Sequence, residues 1–112
     1  MLLAIRILTL AAEAGPIDVP VRLDAPTPGT DGGWFCAYEI AWPDEPRRFA
    51  GWGVDAVQAL ALTLELIGAD LYGSAAHAEN RLSWKAAPGG GYGFPVPRAM
   101  RDELVGEDAR YL

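Results

Sequence analysis

The chain has 112 residues, 51% of them apolar and 21% charged, with a formal net charge of −6 and a single cysteine. That length suits one domain, residues 1–112, whose core forms without metal or disulfide. The lone cysteine excludes an internal disulfide and suits a reducing, cytoplasmic compartment. The acidic balance argues against nucleic acid, whose binding rests on neutralising phosphates, and against anionic membrane surfaces.

The opening "LLAIRILTLA" (2–11) reads as a strand: Leu3, Ile5 and Ile7 share one face, Leu2, Ala4, Arg6, Leu8 and Leu10 the other. Arg6 marks that second face as partly wet. It also interrupts the apolar run, and no basic stretch precedes it, so a signal peptide is not expected. After the break at Gly15-Pro16, "IDVPVRLD" (17–24) alternates strictly between apolar and polar. Pro20 cannot donate to a ladder, which points to an edge strand or an outward-facing proline. A turn-rich loop leads to "WFCAYEIAW" (34–42), where Trp34, Cys36, Tyr38, Ile40 and Trp42 share a bulky face and Glu39 lies on the other. "RRFAGW" (47–52) closes a hairpin. Connections this short make the four strands antiparallel.

A helix is expected over 55–72. Asp55 and Gln58 form a capping box, and Gly73 is the stop. Val57, Leu60, Ala61, Leu64, Ile67, Gly68 and Leu71 follow the spacing of a core-facing stripe, with Gly68 allowing close approach to the sheet. Leu62 and Leu66 form a second apolar stripe, flanked by Ala59 and Ala69. That stripe needs a cover. The C-terminal segment is one candidate; a second copy of the chain in a two-fold dimer is the other. The rest reads as loop, with a short strand about Arg81 to Lys85 and a short helix about 97–104.

Chemistry-bearing patterns are sparse. One histidine, His77, and one cysteine do not make a zinc-type site, so neither metal nor cofactor is expected. Cys36 points inward from its strand, where burial disfavours a thiolate, and His77 reads as a solvated loop residue. "GGGYG" (89–93) lacks the following helix of a phosphate loop. No catalytic residue is assigned. The candidates for a ligand pocket are Glu39 on an open sheet face, joined by Arg6 or Arg47. Those for a partner interface are Trp42, Trp52, Leu62 and Leu66, since tryptophan is enriched at interfaces. Residues 1–80 carry 11 acidic and four basic side chains, so a basic protein partner suits this part.

"WFCAYEI" followed by "GWGVDAVQALALTLELIGADLY" resembles a family of small bacterial proteins that carry a domain of unknown function. The shared pattern is an aromatic-x-Cys-x-Tyr strand, a hairpin, then G-x-D-x-x-Q-A-L-x-L. Thr63 stands where that pattern has alanine. The resemblance covers 34–72 and implies a bacterial cytoplasmic protein with strands before a helix; it implies no activity and no catalytic residue.

The expected fold is therefore α+β: a four-stranded antiparallel meander, one long helix across one face, and a loop-rich C-terminal segment with a short helix. The leading functional reading is a non-enzymatic protein-binding or accessory module of immunity type. A small-ligand-binding protein or enzyme using the sheet face near Glu39, and a homodimeric structural unit, are the alternatives.

Overall fold

The computed structural model describes residues 1–112. Strands β1 (Leu2–Leu10), β2 (Ile17–Asp24), β3 (Thr27–Pro28), β4 (Trp34–Ile40) and β5 (Arg47–Gly53) precede helix α1 (Ala56–Tyr72), and α2 (Ala75–Ala78), β6 (Leu82–Ser83), a 3-10 helix (Arg98–Glu103) and α3 (Gly106–Tyr111) follow it. The fold is α+β with an antiparallel sheet and one main helix. The sheet is larger than a four-stranded meander. β1, β2, β4 and β5 do meander, but β6 adds to the far edge of β1, and β3 pairs with the beginning of β4 on the edge that β2 also uses. The chain kinks at Ala25-Pro26, and this splits one long strand into β2 and β3. The short helix near the C-terminus is a 3-10 turn, and α3 beyond it is an additional element.

One face of the sheet is covered. Val19, Val21, Leu23, Cys36, Tyr38 and Ile40 are buried there, in the phase that the alternation of β2 and β4 dictates. α1 straddles β4 and β5. Ala59 and Thr63 face the sheet, and both are fully buried. A Cβ on Gly53 would meet the Ala59 backbone at 2.3 Å and one on Gly51 the Thr63 hydroxyl at 2.2 Å. The helix thus lies almost on the strand backbone, which only small residues on both sides permit. This shifts the core stripe from the expected one: Val57 is 75% exposed and Ala61 is exposed. The Thr63 hydroxyl is satisfied by Ala59 O at 2.7 Å and Cys36 O at 3.2 Å, so it costs little when buried. Gly68 faces the tail instead of the sheet, for a Cβ there would meet Pro95 O at 1.9 Å.

The tail fills the remaining half of the covered face. Tyr92, Phe94 and Val96 are buried in the same core as Leu8 and Leu82, beside the helix and over β1. Arg6 belongs to this side and is not at a wet face. Its guanidinium lies 4.0 Å over Trp84 and 4.7 Å over Phe94, and it donates to Tyr92 O and Gly93 O. Burial lowers its pKa, an effect partly offset by the charge of Asp108. Asp108, 2% exposed, holds the tail from the other end: its carboxylate accepts from the Tyr72 hydroxyl at 2.6 Å and from the Tyr92 and Gly93 N–H groups at 2.8 Å. His77 joins this cluster. It sits in α2, bonds the Tyr92 hydroxyl and packs edge-on against Tyr72, so it is not a solvated loop residue.

Asp55 caps α1, its Oδ1 accepting from Gln58 N at 2.8 Å. The return bond goes to Val54 N–H instead of the Asp55 N–H, a capping box displaced by one residue. Asp55→Ala is expected to cost about 1 kcal/mol; an unchanged urea midpoint would place the helix start elsewhere. Gly73 is the C-cap, yet with a right-handed φ of −85°. It ends the helix because Ser74 at once caps α2, accepting from His77 N.

Candidate interaction surface

The second face of the sheet has no element packed on it. Strand phase places Ile5 and Ile7 of β1 there, together with Phe35 of β4 and Trp52 of β5, and Leu3 stands beside them at the register shift of β1; they are 46, 44, 40, 46 and 50% exposed. Register sets their neighbours. Ile5, Arg22, Glu39 and Arg48 form one row across four strands, Ile7 pairs with Pro20, and Phe35 pairs with Trp52. In the central row Glu39 accepts from Arg22 at 3.1 Å and from Arg48 at 2.7 Å. Two arginines thus flank one carboxylate on neighbouring strands, with apolar side chains on either side. Exposed pairs of this kind add about 0–1 kcal/mol each, so their stabilising role is small. Each guanidinium keeps further N–H donors that no protein acceptor uses.

The candidate pocket residues do not meet. Glu39 lies on this open face, Arg6 is under Trp84 on the covered side, and Arg47 bonds Asp70 at 3.1 Å beside the helix. The arginines that join Glu39 are Arg22 and Arg48. The phase of β2 places Arg22 on the right face, but its match to Glu39 depends on register, which the connecting loop sets. Trp52 lies on the open face. Trp42 is half-buried and packs against the core, as does Leu66; Leu62 is 40% exposed on the flank of α1 away from the tail.

A separate groove of about 760 Å³ opens at the end of the sheet, between the β4–β5 hairpin and the α1–α2 junction. Trp42, Arg47, Arg48, Asp70, Ser74 and Arg81 line it among others. Asp70 accepts there from both the Tyr38 hydroxyl and Arg47, and burial, then the Asp70 carboxylate, pushes the Tyr38 phenol well above its ordinary range. Burial similarly raises Tyr72, and lifts Tyr92 to about 12. These phenols are raised in the folded state only. Above pH 10 the phenols of the unfolded chain ionise first and it holds fewer protons, so their contribution to stability is complete well below pH 10 and falls as pH climbs toward 12. Denaturation midpoints at pH 9 and pH 11 should show that drop; equal midpoints would mean that the phenols are hydrated.

Cys36 is buried, with burial raising its pKa, and its thiol donates to Asp24 O at 3.2 Å. Labelling of the native thiol should be slow and should accelerate on unfolding; rapid native labelling would contradict this placement.

The geometry defines a class of protein: a small α+β domain whose antiparallel sheet is covered on one side by helix and tail and bare on the other. A family model, that of a domain of unknown function, DUF6968, matches residues 4–96, and the chain belongs to that family. No curated protein and no solved structure matches it significantly. The matched span runs from β1 through Val96, and so includes both the bare face and the tail that fills the core. No helix of the chain is long and apolar enough to cross a membrane.

Proposed function

We propose that this domain is a non-enzymatic protein-interaction module that docks its partner on the bare sheet face. One observation carries the reading: five large apolar side chains, Leu3, Ile5, Ile7, Phe35 and Trp52, stay 40–50% exposed on a face with a structured charge row and no cover. The charged row divides this apolar area into a cluster on β1 and the Phe35–Trp52 pair, and exposed apolar area interleaved with polar groups in this way suits an interaction surface. The groups best suited to chemistry are engaged in holding the fold: Cys36 beneath the helix, His77 on Tyr92, Asp108 on the tail. A net charge of −6 steers a basic partner from a distance. At contact, the free donors of Arg22 and Arg48 suit carbonyl or carboxylate oxygens. An accessory or immunity-type role, in which the bare face blocks a partner's working surface, is the specific form of this proposal.

The groove favours a second reading, since about 760 Å³ lies within the range of small-ligand pockets. One experiment separates the two. Immobilised wild-type protein is compared in native lysate with Ile5→Thr/Ile7→Thr, which keeps strand-compatible side chains but removes apolar area, and with Trp42→Ala in the groove. Loss of the captured partner with the double variant and retention with Trp42→Ala supports the sheet face. The reverse pattern moves function to the groove.

A further inference from the structure

We propose that two copies of this chain pair antiparallel along the outer edge of β5, joining two sheets into one and setting the two α1 helices side by side. The inference does not rest on what the bare face binds, although the seam takes Arg48 and Trp52 from the edge of that face. β5 pairs only with β4, and no backbone group of residues 47–53 bonds anything outside that ladder. A free edge of seven residues is a template for another strand, and β5 carries neither a proline nor a bulge to block it. The other long edge is less suitable. β6 occupies β1 at Thr9 and Leu10, and β1 shifts register between Leu2 and Ala4.

The sequence of β5, "RRFAGWG", is self-complementary when reversed. The symmetric register centred on Ala50 uses all seven residues and sets no two arginines opposite each other. Ala50 meets Ala50 of the partner subunit. Phe49, 52% exposed in the single chain, lies across from the partner's Gly51. Arg48, on the opposite face, lies across from the partner's Trp52, so no like charges meet there.

Helix placement agrees with this pairing. α1 rests over both β4 and β5, through Thr63 to Cys36 O and through Ala59 and Thr63 against Gly53 and Gly51. Extending the sheet by one strand spacing of about 4.8 Å then brings the two helix axes to about 10 Å, the distance of packed helices. The flank that α1 turns to its partner is the one away from the tail. It carries Leu62, Leu66 and Ala69, and Leu66 falls near the two-fold axis.

Sedimentation equilibrium, with two substitutions at the axis, tests the proposal. Wild type should have twice the 12.0 kDa chain mass. Ala50→Lys sets two ammonium groups opposite each other and should give a monomer with an unchanged circular dichroism spectrum. Ala50→Cys should form an intermolecular disulfide under mild oxidation, since paired Cα atoms about 4.5–5.5 Å apart are within reach of one; native Cys36 is buried and cannot compete. Ile5→Cys on β1 should not crosslink. If Ala50→Lys does not fold, the crosslink decides alone. A monomeric wild type, crosslinking through position 5 but not position 50, or a folded Ala50→Lys variant that stays dimeric would each overturn the proposal.

Discussion

Asp108→Ala should lower the free energy of unfolding by about 3 kcal/mol, a large share of the ~5–15 kcal/mol typical of a domain. The side chain is 2% exposed and its two oxygens take three donors: the Tyr72 hydroxyl, the Tyr92 N–H and the Gly93 N–H. Alanine leaves the buried Tyr72 hydroxyl and Tyr92 N–H, and the part-buried Gly93 N–H, without an acceptor, and each buried group so left costs more than the net gain of an ordinary hydrogen bond. The peptide unit between Tyr92 and Gly93 is held from both ends, its N–H by Asp108 and its carbonyl by Arg6. Losing the carboxylate therefore frees the segment that covers β1. Urea denaturation reads the energy, and limited trypsin cleavage after Arg98 or Arg101 reads the release of the tail. A variant as stable as wild type and equally resistant would show that Asp108 is not the anchor.

Gly68→Ala should also destabilise, by about 2 kcal/mol, against the trend of helix propensity. In an exposed helix the change would gain about 1 kcal/mol. Here the new methyl would stand 1.9 Å from the Pro95 carbonyl oxygen and 3.2 Å from Val96 Cγ1. The oxygen is backbone, and it cannot withdraw without lifting Phe94 and Val96 from the core. A stabilised Gly68→Ala variant would mean that the tail does not cross the helix at this point.

Both substitutions act where distant segments meet, and that is where the sequence was hardest to read. Local pattern was legible. The alternation of "IDVPVRLD" and "WFCAYEI" placed β2 and β4 with the right faces inward, and Asp55 marked the helix start. Arg6 was misleading because a charge in an apolar strand usually marks water; nothing near it in sequence indicates that Trp84, Phe94 and two tail carbonyls enclose it. The helix phase differs from the expected stripe because spacing rules weigh hydrophobicity, while this interface selects for small size. The clue was present in Gly51 and Gly53 on the strand and Ala59 and Thr63 one turn apart on the helix. For the candidate site, the face of Glu39 was readable but its arginine partners were not, because phase follows from alternation alone and register from loop geometry.

Side-chain footprinting by hydroxyl radicals, on the free protein and on its complex with the captured partner, tests the interaction surface most directly. Ile5, Ile7 and Phe35 should be readily oxidised in the free protein and protected in the complex, while Trp42 in the groove keeps its reactivity. Protection of Trp42 with no change at Ile5, Ile7 and Phe35 would contradict docking on the bare sheet face.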